Sequence, residues 1–325
     1  MGSRIKSAKT LMSMELPETR WAVPGLLPEG LIVLAGKQKM GKSFLLLNIG
    51  LAVARGGKVM GVVLADQGRA LYLALEDGHK RLQDRLRIML DGSEAPDTLD
   101  LATEWDKLDA GGVDALEDYL KQNEDTKVIM IDVLQRVIPK HKQNADSYEE
   151  AYTYLSPLKQ LAERYHVAIV VVQHMRKAAA NDVLDEIYGS TGLSAVADTI
   201  VILSKENSRN EKFLLVKGRD VSEQKYALEF DEELATWRIV ANGEQAEELL
   251  APSELGQFVK LVNSHPDGIT RTEVANELGK TVDSVDSLAK RAMREEKIKR
   301  DRGVYTPFRK TAPAPALIFD DNDPD

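Results

Sequence analysis

A glycine-rich loop near the start of the chain has the residue types and the spacing of a phosphate-binding loop. Residues 31–43 read LIVLAGKQKMGKS, in which Gly36 and Gly41 flank four residues and Lys42 and Ser43 follow. An apolar run suited to a buried strand precedes the loop and one suited to a buried helix follows it, as G-x-x-x-x-G-K-S/T requires. The loop amides would then surround phosphate oxygens, with Lys42 on the β- and γ-phosphates and Ser43 on Mg²⁺.

Two acidic residues at the ends of predicted strands could complete this chemistry. Asp132 follows the apolar run 128–131, where it could hold Mg²⁺ through water or simply begin a loop. Glu76 follows the run 70–75 and could orient and polarise an attacking water. Asp77 competes with Glu76 for this role, and a solvated acidic turn is the structural alternative.

A polar pair ends another predicted strand. Gln173 and His174 follow the apolar run 168–172 and should reach the same edge of the sheet. Such groups could sense the γ-phosphate and relay its loss to the next loop. A satisfied structural pair explains them equally well, since a lone His is usually structural.

Apolar strands and amphipathic helices alternate through most of the chain. This pattern predicts an α/β fold with a parallel sheet covered on both faces, and a nucleotide site at the carboxyl ends of the strands. Three strands in close succession predict an antiparallel extension. The predicted strands are 31–35, 70–75, 128–131, 168–172, 199–203, 212–217 and 226–230, and the predicted helices are 79–90, 113–120 and 148–165.

Length and charge restrict the classes of function. The 325 residues suffice for two domains, and the absence of Cys excludes disulfides and thiolate metal sites. No signal peptide opens the chain and the apolar run 44–54 is too short to span a bilayer, so we expect a cytoplasmic protein with no membrane partner. The net charge of −9 argues against coating duplex DNA with the whole surface, so any nucleic-acid contact should be local.

The order of the motifs resembles that of RecA-like ring ATPases. The segments AGKQKMGKS, YLALED, VIMIDVLQR, VVVQHMRK, GSTGLSAVADTIVIL and LLVKGRD occur in that order within residues 20–240. They look most like the RepA-type plasmid and phage helicases, with the DnaB-type helicases as wider kin. The resemblance implies a RecA-like P-loop NTPase core that binds ATP and Mg²⁺ between the subunits of a homo-hexameric ring and serves DNA replication.

The resemblance also assigns roles to individual residues. It implies that Glu76 is the catalytic glutamate and that Lys217 and Arg219 form a K-x-R pair reaching a neighbouring subunit's γ-phosphate, where Arg219 stabilises developing charge. A solvated basic turn is the alternative for this pair. The predicted nucleotide contacts are Gly36, Lys37, Gln38, Lys39, Met40, Gly41, Lys42, Ser43, Phe44, Gln173 and His174, and the predicted metal ligands are Ser43 and Asp132.

Two loops would face the central channel of such a ring. The loop 139–147 contains Lys140, His141 and Lys142, and the loop 175–191 contains Arg176 and Lys177. Basic loops in a channel can follow single-stranded DNA without reading its sequence. Charged surface loops with no ligand are the alternative.

The C-terminal part resembles winged helix-turn-helix modules. Helices are predicted at 254–264, 270–278 and 282–296, with a wing at 297–307. Thr270 and Glu273 form a capping-box pattern at the start of the second helix. We therefore predict four regions: an N-terminal arm (1–18), an ATPase core (19–245), a winged-helix domain (253–310) and a disordered acidic tail (311–325).

The partner of this module stays open at the level of sequence. The third helix carries basic and hydroxyl side chains, but two acids at its start would repel phosphate. Contact with duplex DNA and contact with a protein are equally supported, since a fold does not fix a function. The residues concerned are Ser284, Ser287, Lys290, Arg291 and Arg294 on the helix, Asp283 and Asp286 at its start, and Lys299, Arg300 and Arg302 on the wing.

Three functions fit these features. The first is an ATP-driven motor on single-stranded DNA, namely a RepA-like replicative helicase of plasmid or phage type. The second is an ATP-switched DNA-binding regulator or helicase loader, and the third is a recombination mediator that forms filaments. The K-x-R element and the short, weakly basic loops favour a ring over a filament.

Overall fold

The computed structural model divides the chain into two compact units. The core unit comprises the described residues up to 246, and the C-terminal unit comprises those from 254. The side chains of 147–151 are not described. The structure describes residues 5–139, 147–174, 196–205, 212–243, 245–246, 254–295, 297–301 and 303–308.

The core unit begins with a short exposed helix, and strands and helices then alternate. None of the described residues of this first helix, α1 (Ala8–Met12), is buried. The strands are β1 (Trp21–Val23), β2 (Leu27–Pro28), β3 (Gly30–Gly36), β4 (Lys58–Val59), β5 (Val63–Leu64), β6 (Arg69–Ala74), β7 (Leu99–Ala102), β8 (Thr126–Asp132), β9 (Ala168–His174), β10 (Thr199–Lys205), β11 (Lys212–Gly218), β12 (Gln224–Asp231) and β13 (Thr236–Asn242).

A nine-stranded mixed sheet lies at the centre of the core unit, in the order β13-β12-β11-β10-β3-β9-β8-β6-β7. The strands from β10 to β7 are parallel. On the other side of β10, the strands β11, β12 and β13 follow in antiparallel order. The α/β fold and its antiparallel extension are therefore confirmed, whereas the two outermost strands, β7 and β13, were not predicted.

Helices cover both faces of this sheet. Alternate residues of β3 enter different cores: Ile32 and Leu34 join the core under α2 and α3, and Leu31 and Val33 join the core under α4, α5 and α6. Because both faces are buried, the strand reads as an uninterrupted apolar run. The helices are α2 (Lys42–Arg55), α3 (His79–Leu90), α4 (Val113–Gln122), α5 (Leu134–Val137) and α6 (Ser147–Tyr165), with a π-helical turn at Leu108–Gly112 before α4.

The C-terminal unit packs three helices against a small antiparallel sheet of order β14-β16-β15, around Phe258, Val285 and Tyr305. The predicted capping box is confirmed, since Thr270 and Glu273 exchange both hydrogen bonds at the start of the second helix. The elements are α7 (Glu254–Asn263), β14 (Ile269–Thr270), α8 (Arg271–Glu277), α9 (Val282–Arg294), β15 (Ile298–Asp301) and β16 (Val304–Pro307).

Within the ranges that the structure describes, no helix is both long and apolar enough to cross a lipid bilayer.

Candidate nucleotide site

The glycine-rich loop connects β3 to α2 at the carboxyl edge of the parallel strands. Gly41 has a φ of 94° and a Cβ there would lie 2.7 Å from the Trp237 ring, so both conformation and space require glycine. A Cβ on Gly36 would lie 2.4 Å from the Leu203 carbonyl oxygen. The side chains between the two glycines are exposed at Lys37, Gln38 and Lys39 and buried at Met40.

The Lys42 ammonium is folded back onto this loop. Its Nζ donates to the carbonyl oxygens of Gly36 (2.7 Å) and Lys37 (2.8 Å), and the residue is only 4% exposed. Burial lowers the pKa of Lys42 to about 8, although the negative charges of Asp132 and Glu76 oppose this shift. The ammonium therefore lies within the electrostatic reach of both predicted acids.

Asp132 is a buried carboxylate at the end of β8, with 5% of its surface exposed. Tyr72 Oη donates to Asp132 Oδ2 at 2.8 Å. Burial raises the pKa of Asp132, while hydrogen bonds from Ser43 and Tyr72 and the charge of Lys42 lower it. The structure thus brings Lys42, Ser43 and Asp132 together, and it adds Tyr72, which the sequence did not indicate.

Glu76 is an exposed carboxylate beside this buried group. Its Oε2 lies 3.6 Å from His174 Nε2 and its Oε1 lies 3.8 Å from Arg136 Nε. Arg136 was not predicted, although it follows Asp132 by four residues in the segment VIMIDVLQR. The arrangement leaves Glu76 accessible to a water molecule and places its carboxylate between a histidine and an arginine nitrogen.

Asp77 has a different environment from Glu76. Its side chain is 8% exposed and pairs with Arg81 at 2.8 Å and with Arg85. Both partners belong to α3, so this carboxylate is paired with the helix that follows it. Glu76 is therefore a better candidate than Asp77 for the residue that orients the attacking water.

Gln173 and His174 end β9 at the same edge. Gln173 Oε1 accepts a hydrogen bond from Gln135 Nε2 at 2.7 Å, and His174 Nδ1 is buried with no hydrogen-bond partner among the described residues. Gln173 is thus tied to the segment after β8, and His174 to Glu76. The two interpretations of Gln173 and His174, a γ-phosphate sensor and a structural pair, both stay predictions.

Lys217 and Arg219 lie at the opposite edge of the sheet. Their strand runs antiparallel to β10, and Gly218 pairs with Thr199, which pairs with Ile32 near the start of β3. By this register Arg219 lies about 20 Å from the glycine-rich loop of its own chain, whereas Lys217, which pairs through Ile200 with Val33, lies nearer to it. A single chain therefore does not bring Arg219 to its own Lys42.

Acidic residues contact both cations at that edge. Arg219 Nη1 lies 3.3 Å from Asp198 Oδ1, and Lys217 Nζ lies 2.8 Å from Glu223 Oε2. Asp198 also accepts a hydrogen bond from the Lys159 ammonium at 2.5 Å. Arg219 thus shares an acid that another cation already neutralises.

An aromatic row behind the glycine-rich loop was missed at the level of sequence. Trp237 Nε1 donates to the Gly41 carbonyl at 3.1 Å, and the Trp237 amide donates to Asn48 Oδ1 at 3.0 Å. Phe230 packs edge-on against Trp237 and against Phe44, with ring centroids 5.0 and 5.3 Å apart. Phe44 therefore supports the loop from behind. The β-branched residues after Trp237 were the sequence signal from which its strand could have been predicted.

Several predicted contacts lie outside the described residues. They are Lys140, His141 and Lys142 of the first predicted channel loop, Arg176 and Lys177 of the second, and Arg302 of the wing.

Comparison with known proteins agrees with this geometry. A family model described as "AAA domain" matches residues 3–180, which is more than half of the chain. The chain therefore belongs to this AAA domain family. No curated protein matches it.

Two solved structures show the fold. The ATPase domain of a phage protein has 15% sequence identity and a TM-score of 0.51, over 66% of this chain and 85% of that one. A DnaB-like replicative helicase, solved for its interactions with primase, has 15% identity and a TM-score of 0.55, over 72% of this chain and 66% of that one. The core unit thus has the RecA-like fold of these two structures, as the motif order predicted.

Proposed function

We propose that this chain is an ATP-hydrolysing oligomeric motor on single-stranded DNA, a replicative helicase of RepA-like plasmid or phage type. One observation carries the hydrolytic part of this proposal. Lys42, Ser43, Asp132 and Glu76 meet at one edge of the sheet, where they combine an ammonium, a hydroxyl, a buried carboxylate and an accessible carboxylate. These are the groups that phosphoryl transfer from a nucleoside triphosphate needs.

The donor set at this edge fits Mg²⁺. The Ser43 hydroxyl and the Asp132 carboxylate are oxygen ligands, and Mg²⁺ prefers one or two of these with water and phosphate oxygens to a full protein cage. When bound, Mg²⁺ would neutralise charge on the β- and γ-phosphates. Burial of Asp132 keeps its carboxylate in one position for this purpose.

Lys42 and Glu76 take the two reactive roles. The Lys42 ammonium would exchange its two loop carbonyls, Gly36 and Lys37, for phosphate oxygens when nucleotide binds. Glu76 would accept a proton from a water whose oxygen attacks the γ-phosphorus. The bond from this phosphorus to the bridging oxygen breaks, which leaves ADP and phosphate.

The position of Arg219 supports a site shared between copies. Its own loop is about 20 Å away by strand length, so its guanidinium could reach only the nucleotide of another subunit. In a closed ring, every subunit would then supply Lys42 to one nucleotide and Arg219, with Lys217, to the next. A hexamer is the proposed size, with the loops 139–147 and 175–191 on the DNA strand.

The test is the ATPase rate with and without single-stranded DNA, measured beside the native mass. The proposal expects an oligomer whose turnover rises when single strands are added. A monomer under all nucleotide conditions would contradict it. Slow turnover that ignores single strands, together with tight duplex binding, would favour the ATP-switched regulator or loader, and open filaments would favour the recombination mediator.

A further inference from the structure

The outward face of α9 in the C-terminal unit is polar and mostly basic. The opposite face carries small apolar side chains, of which Val285, Ala289 and Ala292 lie in the core. Exposed positions recur every three or four residues and therefore share one side of the helix. They are Asp283, Ser287, Lys290 and Arg294, with Arg291 beside them.

One of the two acidic residues on α9 is paired within the unit and adds little negative charge to this face. The Asp286 carboxylate accepts a hydrogen bond from Tyr305 Oη at 3.1 Å and lies 3.5 Å from Arg271 Nη1 and 3.9 Å from Arg300 Nη1. Its negative charge is therefore neutralised by two arginine side chains of the same unit. The same contacts tie α8, α9 and the hairpin β15–β16 together, so the basic face belongs to a fixed frame.

The remaining cations on this face differ in how they are paired. Arg291 Nε lies 3.1 Å from Glu295 Oε1, so part of its charge is neutralised. Lys290 and Arg294 have no acidic partner within 4 Å among the described residues of the chain. Lys299, on the hairpin, lies over the Phe308 ring at 4.9 Å, which fixes its position without cancelling its charge.

The described residues of the same unit form no apolar docking surface. Every large hydrophobic side chain that is strongly exposed among the described residues lies in the core unit, and none falls within the described part of 254–308. Protein interfaces usually have a buried apolar or aromatic centre with charge at the rim. A basic face without such a centre favours a polyanion over a protein partner.

We propose that α9 and the hairpin β15–β16 bind duplex DNA, with α9 in the major groove. The 13 residues of α9 give a rod about 20 Å long, which a groove about 12 Å wide admits. Lys290, Arg294 and Lys299 contact phosphates, and Ser284 and Ser287 are the side chains nearest the base edges. Binding is thus driven by the backbone and depends little on sequence.

The experiment measures binding of the full chain to a blunt duplex of about 20 base pairs, without nucleotide, over a series of salt concentrations. Each phosphate contact contributes about 0.9 to the slope of log affinity against log salt. The Lys290→Ala/Arg294→Ala double variant should bind at least tenfold more weakly near 0.1 M salt, and its slope should fall by about 2.

Three controls keep the result interpretable. Lys260→Ala removes an exposed cation from α7 in the same unit and should leave affinity and slope unchanged. Lys290→Arg/Arg294→Lys keeps both charges and should retain binding, which separates lost charge from lost fold. Lys42→Ala should bind the duplex like the unaltered chain, so failure of the motor proposal and failure of this one give different results.

Two outcomes would overturn the duplex site. One is a double variant that binds duplex with unchanged affinity and slope. The other is displacement of the duplex by poly-glutamate at equal charge concentration, which would show that the face binds acidic protein as readily as DNA.

Discussion

The two edges of the core sheet hold their charged groups in opposite ways. At the carboxyl edge, Lys42 and Asp132 are 4% and 5% exposed and their pKa values respond to one another. At the other edge, the side chains of Lys217 and Arg219 are 51% and 63% exposed. The buried groups are held by their own chain, whereas Lys217 and Arg219 stay accessible from outside it although each contacts an acid. This contrast supports the proposal of a site divided between two copies.

Loss of Lys42 should have the largest effect on ATP turnover, because it removes the positive charge that binds the phosphates. We expect Lys42→Ala to reduce ATP turnover by at least about a thousandfold. Phosphate release at saturating nucleotide measures this. Turnover within tenfold of the unaltered chain would mean that the buried edge is not the hydrolytic site.

Loss of Arg219 should come next, and it tests the exposed edge. An arginine that stabilises the transition state is worth about 10³-fold or more in turnover, so Arg219→Ala should lose this much while still binding nucleotide. Arg164→Ala is the matched control, because Arg164 is also an exposed arginine with an acidic partner. Its side chain is 59% exposed and pairs with Glu117 at 2.7 Å, near the start of β9. Equal losses in both variants would remove the special role of Arg219.

The neighbouring acids Glu76 and Asp77 should separate by about two orders of magnitude. Glu76→Gln removes the proton acceptor and should slow hydrolysis about a hundredfold or more without weakening nucleotide binding. Asp77→Asn loses the ion pairs with Arg81 and Arg85 of α3, and its turnover should stay within a few-fold of the unaltered chain. Rapid-mix measurements of hydrolysis and binding distinguish the two, and a larger effect at Asp77 would reverse the assignment.

The smallest predicted effect is a pH dependence of nucleotide affinity. Burial lowers the pKa of Lys42 to about 8, so the free protein loses this charge as the pH rises through that value. Since the ammonium is the form that binds phosphate, the dissociation constant should rise about tenfold between pH 7 and pH 9. Titration of a non-hydrolysable ATP analogue into the unaltered chain measures it, because the charge of Glu76 also acts on Lys42 and must be kept. A flat profile would show that Lys42 keeps its charge throughout.

Local pattern was enough to predict the ingredients of the buried edge. The glycine-rich loop lies between a strand and a helix, and Asp132 ends an apolar strand, so both positions follow from short-range sequence. Parallel strands then bring their carboxyl ends to one edge without further information. The antiparallel extension followed from three closely spaced apolar runs.

What the sequence could not predict depends on long-range packing. Trp237 supports Gly41 from a strand 196 residues away, and Tyr72 reaches Asp132 across two neighbouring strands. The pairing of Arg219 with Asp198 and of Asp77 with Arg85 likewise depends on side-chain directions that periodicity does not specify. These contacts decide which charges are buried, shared or exposed, and hence the contrast between the two edges.

Mixing two inactive variants tests the divided site most directly. Lys42→Ala and Arg219→Ala chains, each inactive alone, are combined and their ATP turnover is measured. If each nucleotide takes Lys42 from one chain and Arg219 from another, some interfaces in the mixture contain both intact groups, and activity should return. Native mass must confirm that the two variants assemble together. Mixed assemblies that form and remain inactive would contradict the shared site.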